Sequence, residues 1–404
     1  MNNSPLEFLA RQYGNVVKYD ADGNPSIFVK FPKMKSKDLD ASLPDHTHPA
    51  FIIDGVEQDY ILIGKYKASE INKDDNGTLY SLPNVPARVY LGADQLLERM
   101  RAANTGASGM TIADGGFLLL LAQKNGWNPQ KGNNSYGIDY RDATTWETAK
   151  SVAVGNVRAY HGWTYKCLIA HTTSVELNPI DNPLYWQKEK QIGGVGDVGG
   201  IDPETSRIRT TINGSGPLDW FLGSDPASVC DLVGSCYEAN YGYRLVNCEL
   251  QIMENNNAAS PNADLSASSA AWKAILPNTS NDGYTLVAPG TPGTLHWTWA
   301  NGKITLDTVE PEFDNEYRGT NFKDLAVNTT HIPHIPHIIR ELGLFPTQGS
   351  TMAGYYYVHM TRDERFPRRG GTYSNPSNAG LGYVDCRNPR SNSGLYYGAR
   401  PRSL

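Results

Sequence analysis

The sequence predicts an α+β protein in which short strands and loops outnumber helices. Its 404 residues include 39 glycines and 25 prolines, a turn-rich composition that disfavours an all-helical bundle. The 8 Trp, 23 Tyr and 10 Phe supply enough surface to build a core, which excludes global disorder. Clear helical periodicity is confined to the first third of the chain. The length predicts more than one structural unit.

The first part of the chain predicts an arm followed by a strand and two helices. Residues 1–58 mix apolar and lysine-rich polar stretches, so we expect an N-terminal arm or adaptor and not an independent core. Residues 59–145 begin the main domain with a β-branched, aromatic strand over 59–66. Apolar residues at helical spacing predict helices over 92–103 and 113–125, each with an aspartate near its start.

Residues 146–190 predict a small all-β insertion. Trp146 and Trp186 frame short alternating strands, and His161-Gly162 is typical of a hairpin turn. The glycine-rich stretch 192–200 predicts a flexible linker that closes the insertion.

Residues 191–404 are expected to complete the main domain. Short strands and long loops alternate, and one helical turn is predicted at 269–275. The region 369–404 is dominated by Asn, Ser and Gly, which favour turns.

Charge and hydropathy exclude two classes of partner. The net charge is −6 and the basic residues are scattered, so we expect no nucleic-acid partner. The longest strongly apolar run, residues 117–122, is far below the ~20 residues of a membrane-spanning helix, so we expect no membrane insertion. Residues 1–5 lack a secretion signal, which predicts synthesis in a cytoplasm, even if the protein works elsewhere.

Cysteine and histidine spacing gives no strong metal or redox signal. The five cysteines have no CxxC spacing and predict reduced, packed thiols, with a Cys230–Cys236 bridge left open. His331, His334 and His337 alternate with prolines, and a polyproline conformation would align the three rings. The run contains no carboxylate or cysteine, so we predict structural or surface histidines and no metal site.

The sequence contains no motif typical of an enzyme. We find no nucleophile elbow, P-loop, HExxH or dinucleotide-binding pattern. The arginines between 362 and 369 alternate with acidic residues and are expected to hold loops together. Tyr373, Tyr383, Tyr396 and Tyr397 stand among Ser, Asn and Gly, a composition typical of binding surfaces and equally of an ordinary surface of turn-rich loops.

Several stretches in a fixed order resemble the formylglycine-generating-enzyme branch of the C-type-lectin fold. They are the strand and helices after residue 59, and segments 229–238, 243–245, 369–371 and 398–401. The resemblance covers roughly residues 59–140 and 205–404. It implies no cofactor except a structural calcium ion. The family's Asn-Val-x-Glu-Trp reads Ser-Cys-Tyr-Glu-Ala at Glu238, a departure that argues against a calcium site at this turn. The oxidase cysteines would fall near Asn375 and Gly380, so oxidase activity is not implied.

A narrower resemblance is to the variable proteins of diversity-generating retroelements, many of which are phage tail proteins that attach to host surfaces. It is carried by Arg369-Gly370-Gly371, Ser377–Gly380, Arg390-Ser391 and the terminal Gly-x-Arg-Pro. The resemblance implies a scaffold formed by Arg369, Gly371, Ala379, Arg390, Ser391, Gly398 and Arg400. Together with the tail composition, it implies ligand-binding display positions at Thr372, Tyr373, Ser374, Pro376, Gly382, Tyr383, Asp385, Arg387, Asn388, Gly394, Tyr396 and Tyr397.

The insertion resembles a small chitin-binding module. The resemblance implies sugar stacking by Trp163 and Trp186, and the alternative for both is the miniature core that so small a module requires.

These features lead to one leading hypothesis and two rivals. We expect a non-enzymatic adhesin of a phage tail tip or fibre, made in the host cytoplasm, located in the virion and self-associating as a trimer. Residues 1–58 would serve virion docking or oligomerisation. Its partners would be a host cell-surface protein or glycan and other tail proteins. One rival is an enzyme, either a degenerate formylglycine-type oxidase or a glycan hydrolase with a binding insert. The other is a cellular surface lipoprotein, which the missing N-terminal signal disfavours.

Overall fold

The structure, a computed structural model, describes residues 5–71, 77–128, 130–196 and 200–404. It is mixed α+β and mostly sheet, with 15% of residues in helices and 32% in strands, which confirms the predicted class. None of the described helices combines the length and apolar character needed to cross a membrane.

The described residues contain five α-helices. They are α1 (Pro5–Gln12), α2 (Ser36–Leu39), α3 (Ala93–Arg101), α4 (Ile112–Lys124) and α5 (His337–Glu341). Short 3₁₀ helices lie at Pro49–Phe51, Val175–Leu177, Leu218–Trp220, Leu222–Ser224, Asn257–Ala259 and Phe322–Asp324. The two predicted helices are confirmed as α3 and α4. Thr111 and Asp114 exchange side-chain and backbone hydrogen bonds at the start of α4, which explains the position of that aspartate.

The strands are numbered in chain order. They are β1 (Val16–Tyr19), β2 (Pro25–Pro32), β3 (Ile52–Ile53), β4 (Val56–Glu57), β5 (Tyr60–Gly64), β6 (Ala68–Ser69), β7 (Tyr80–Ser81), β8 (Ala107–Gly109), β9 (Ser151–Val152), β10 (Val157–Tyr160), β11 (Trp163–Cys167), β12 (His171–Thr172), β13 (Trp186–Gln191), β14 (Ile201–Asp202), β15 (Arg207–Ile208), β16 (Tyr237–Ala239), β17 (Tyr243–Val246), β18 (Glu249–Ile252), β19 (Lys273–Pro277), β20 (Tyr284–Val287), β21 (His296–Ala300), β22 (Lys303–Asp307), β23 (Tyr317–Asn321), β24 (Ala326–Val327), β25 (Tyr355–His359), β26 (Glu364–Arg365), β27 (Arg368–Gly370), β28 (Gly380–Cys386), β29 (Tyr397–Gly398) and β30 (Pro401–Ser403).

A five-stranded sheet joins the two ends of the chain. Its order is β1-β2-β5-β30-β8, so the last strand lies between two early strands. Phe31 and Phe51 contact Phe117 of α4 at ring-centroid distances of 5.5 and 5.0 Å. This part of the expected arm therefore packs into the main core, through the side chains of Val29, Phe31, Leu39, Leu43, Ala50 and Phe51.

An eight-stranded sheet is built around β17 to β22, with β24 and β26 at its margins. The helical turn predicted at 269–275 is wrong, because Lys273–Pro277 forms strand β19 between β18 and β20. Ala274 and Ile275 are fully buried, and their pairing partners in the sheet decide the conformation over the local helical preference.

The insertion has its own three-stranded sheet, β10-β11-β13, and a two-stranded sheet, β9-β12. Tyr160 pairs with Trp163 across the predicted turn, where His161 and Gly162 both have positive φ. A separate cluster of buried aromatic side chains includes Trp146 and Trp186. Part of the predicted linker, residues 197–199, lies outside the described residues.

Candidate functional site

A six-stranded sheet of order β23-β25-β28-β27-β16-β29 carries tyrosines on one face. Tyr357 pairs with Asp385, and Asp385 pairs with Arg368, which fixes which side chains share a face. Because side chains alternate along a strand, the opposite face takes the buried residues Tyr356, Val358 and Val384. We define the tyrosine face as Tyr237, Arg368, Asp385 and Arg387 with five further tyrosines at positions 317, 355, 357, 383 and 397.

Ring contacts run across the tyrosine face from strand to strand. Tyr355 stacks on Tyr357 with centroids 5.5 Å apart, and Tyr357 lies 5.7 Å from Tyr383. Tyr383 stacks on Tyr237 at 5.6 Å, and Tyr237 lies 5.7 Å from Tyr397. Tyr237 and Tyr383 are buried and form the floor, whereas the other three are half-buried. The row therefore offers rings and hydroxyl groups on a rigid base.

Two arginines place positive charge against this row. The guanidinium of Arg387 bonds both oxygens of Asp385, at 2.6 and 3.0 Å, and lies 4.1 Å from the ring centroid of Tyr357. The guanidinium of Arg368 lies 4.2 Å from the ring centroid of Tyr397. Burial raises the pKa of Tyr357 and Tyr397, so both phenols stay protonated at neutral pH and can donate hydrogen bonds.

A second group of rings lies in the loops beside the sheet. Tyr373 stacks on Tyr396 at 5.4 Å and meets Tyr136 edge-on at 5.4 Å. The guanidinium of Arg207 lies 3.4 Å from the ring centroid of Tyr136. Tyr396 is 40% exposed, so this group presents part of one ring to solvent.

Seven of the twelve predicted display residues reach solvent. They are half-buried or exposed, at Ser374, Pro376, Arg387, Asn388, Gly394, Tyr396 and Tyr397. Arg387 and Tyr397 belong to the tyrosine face, and the others lie in the loops that flank β28 and β29.

The prediction of a displayed side chain is wrong at the other five positions, which are buried in the chain: Thr372, Tyr373, Gly382, Tyr383 and Asp385. The hydroxyl of Thr372 bonds the Asn375 side chain within its own turn. A Cβ on Gly382 would lie 2.8 Å from the Phe322 ring, so no side chain fits there. Tyr383 and Asp385 are covered by neighbouring residues of the tyrosine face.

Two of the predicted scaffold arginines are buried and hold backbone carbonyls. Arg369 donates to the carbonyls of Leu342 and Gly343 at 2.7 and 2.9 Å. Arg400 donates to Glu238 through two nitrogens, at 2.9 and 2.7 Å, and also to three backbone carbonyls. The display loops are therefore attached to a framework whose backbone is held by buried arginines.

Glu238 does not suit the calcium ion that the resemblance implies. One of its oxygens accepts from Lys67 at 2.7 Å, and both accept from Arg400. Burial would raise the pKa of Glu238, but the charges of Arg400 and Lys67 outweigh it and lower the pKa. Two cations already fill the positions that a calcium ion would need.

The two predicted sugar-stacking tryptophans of the insertion have different surroundings. Trp186 is buried and its indole N–H donates to the carbonyl of Leu177 at 3.1 Å, so the stacking role is wrong and the core role is correct. Trp163 is half-buried and lines a cavity of about 460 Å³. The Nζ atom of Lys188 lies 3.7 Å from its ring centroid and covers part of that ring.

All five cysteines are free and buried, which confirms the prediction of packed thiols and excludes a Cys230–Cys236 bridge. Burial raises the pKa of Cys236 and Cys248 to about 11 and that of Cys230 and Cys386 further. These four thiols are therefore protonated and poorly nucleophilic at neutral pH.

The three histidines of the 331–337 run have different partners and do not form one group. His331 bonds Asp307 at 2.7 Å and His334 is exposed. His337 starts α5 and bonds Glu341 at 2.8 Å, and His46 bonds the same carboxylate at 2.6 Å. Burial would raise the pKa of Glu341, but these two hydrogen bonds outweigh it and lower the pKa.

Sequence reasoning missed Tyr237, Tyr317, Tyr355 and Tyr357. The triple Tyr355-Tyr356-Tyr357 is the signal that could have found two of them, because alternate residues of a strand share a face. Neither protein-family models nor curated sequences match this chain. The function is therefore inferred from the site alone.

Proposed function

We propose that this chain is a non-enzymatic binding protein, a phage tail-tip or fibre adhesin that presents the tyrosine face and its adjoining loops to a host cell surface. The observation that carries the proposal is the continuous row of tyrosines, flanked by two arginines, on one face of the six-stranded sheet. Tyrosine gives large contact area with little side-chain entropy to lose, and its hydroxyl suits both protein and glycan targets.

The topology supports a C-type-lectin-type display domain of the formylglycine-generating-enzyme branch. Strand β30 returns from the end of the chain to pair with both β5 and β8. Helices α3 and α4 follow β5 along the chain, which is the order that the resemblance implies. Arg400 and Arg402, on either side of Pro401 in the last segment, are fully buried, and the hydrogen bonds of Arg400 anchor that segment. A fixed C-terminal framework is what exchangeable loop residues require.

The N-terminal end supports attachment to other virion proteins or to further copies of the chain. Helix α1 exposes Phe8 and Leu9, and Tyr13 beside it is also exposed. Apolar side chains grouped in this way are typical of a surface that a partner covers. Self-association as a trimer would add avidity to weak single contacts with the host.

The experiment measures binding of fluorescently labelled full-length protein to a panel of intact bacterial cells and to a glycan array. Tyr317→Ala removes the most exposed ring of the tyrosine face, and Tyr396→Ala removes the exposed loop ring. Each should weaken binding to the recognised cell type by about tenfold, the scale of a central interface residue. Tyr60→Ala is the matched control, because Tyr60 is 39% exposed and lies on β5, in the five-stranded sheet.

Equal binding by all three variants and the unchanged protein would contradict the proposal. So would release of soluble fragments from cell-wall glycans, which the rival glycan hydrolase predicts. Replacement of only the solvent-reaching display residues by those of another variant should change the recognised cell type and leave the melting temperature nearly unchanged.

A further inference from the structure

A cluster of two histidines and one glutamate, none of them part of the tyrosine face, lies between the loop after α2 and helix α5. His46 comes from that loop, and His337 and Glu341 are the first and last residues of α5. The ligand atoms of all three lie within 4.8 Å of one another. His46 and Glu341 are 295 residues apart in sequence, so only the folded chain assembles the group.

The carboxylate of Glu341 is fully buried, and in the described part of the chain its salt-bridge partners are the two histidines alone. The Nε2 atom of His46 faces one oxygen at 2.6 Å, and the Nδ1 atom of His337 faces the other at 2.8 Å. No lysine or arginine of the described residues reaches this carboxylate. A buried carboxylate without a strong cation is suited to a positive ion.

A third histidine, His48, connects the two segments that carry the cluster. His48 is buried, and its Nδ1 accepts from the backbone N–H of Ala50 at 3.2 Å. Its Nε2 therefore carries the proton and donates to the backbone carbonyl of Glu341 at 3.1 Å. This bond ties the backbone of the His46 loop to α5 without using any of the three facing ligand atoms.

We propose that His46, His337 and Glu341 bind one divalent transition-metal ion, and that zinc fits this ligand set best. Two imidazoles and a carboxylate are ligands that zinc takes in three-ligand sites. Around a tetrahedral zinc ion such atoms stand about 3.3 Å apart, so each of the two nitrogen–oxygen distances needs to open by less than 1 Å. The side chain of His46 is 43% exposed, which leaves the fourth position to water.

The ion would connect the His46 loop to α5 in the main core. Metal binding of this kind stabilises the folded chain, because the unfolded chain does not hold the three ligands together. The inference does not depend on the proposed adhesin function, since no residue of the tyrosine face takes part.

The experiment titrates zinc chloride into the full-length protein after removal of metal with EDTA, by calorimetry, and follows cobalt binding by visible absorption. The unchanged protein should bind one equivalent and melt at a higher temperature with zinc. His46→Gln should weaken zinc binding by about tenfold or more. His334→Gln is the matched control, because this exposed histidine of the same run lies outside the cluster.

His46 is partly exposed, so His46→Gln should fold, and circular dichroism of the metal-free variant checks this. Three results would overturn the proposal: no zinc binding by the unchanged protein, equal binding by His46→Gln, or loss of binding in His334→Gln. The last would place the ion on the histidine run and not on the cluster.

Discussion

Replacement of Glu238 by glutamine tests whether one buried carboxylate holds the C-terminal framework. Arg400, Lys67 and Glu238 are each at most 2% exposed. Glu238 accepts from Arg400 at 2.7 and 2.9 Å and from Lys67 at 2.7 Å. Tyr237, which directly precedes Glu238 in the sequence, belongs to the tyrosine face. The substitution keeps the shape of the side chain and removes its charge.

Loss of this charge leaves two buried cations without the carboxylate that bonds both of them. Removing one partner of a buried ion pair costs about 3–5 kcal/mol of unfolding free energy. Asp231 also interacts electrostatically with Lys67 and Arg400, but neither cation bonds it as it bonds Glu238. We therefore expect Glu238→Gln to lower the free energy of unfolding by about 3 kcal/mol or more, measured by urea unfolding with tryptophan fluorescence.

The matched control is Glu57→Gln. Glu57 bonds Lys33 at 3.1 Å on the surface, with its side chain 51% exposed, and such pairs contribute about 0–1 kcal/mol. If Glu238→Gln lowers the free energy of unfolding no more than Glu57→Gln does, the buried network does not hold the framework and the reasoning is wrong.

The same carboxylate gives a pH dependence with a defined sign. The net pKa of Glu238 lies below its ordinary value, so its contribution is complete above about pH 4.5 and is lost as pH falls through the lower, folded-state pKa. Unfolding free energy measured between pH 6 and pH 3 should therefore fall less steeply in Glu238→Gln than in the unchanged protein.

Three further predictions concern other parts of the chain. Trp186→Ala should destabilise the insertion by about 3–5 kcal/mol, because it leaves a cavity in the local core. Trp163→Ala should destabilise it less, since Trp163 is only half-buried, and thermal unfolding of both variants checks this. Gly382→Ala should lower the free energy of unfolding by about 1–3 kcal/mol, since the new methyl group meets the Phe322 ring, and an unchanged urea midpoint would contradict this. Ellman's reagent should label no thiol rapidly in the native protein and all five after denaturation; rapid labelling of a native thiol would show that its burial is wrong.

Local patterns predicted several elements because their determinants are close in sequence. The spacing of Leu96, Leu97 and Met100 predicted α3, and all three are buried. The turn at His161-Gly162 was predicted from residues that adopt positive φ readily. The predicted helical turn at 269–275 failed because that segment pairs with strands on both sides, which no local pattern reports.

The sequence by itself determined the α+β class, the positions of two helices and the tyrosine-rich composition of the C-terminal region. The tertiary structure alone decided which tyrosines form a surface, because strand register sets the face of every side chain. It also decided that Tyr383 is buried while Tyr396 is exposed. His46 and Glu341 meet only through long-range packing, so their spacing in sequence carried no signal of the cluster.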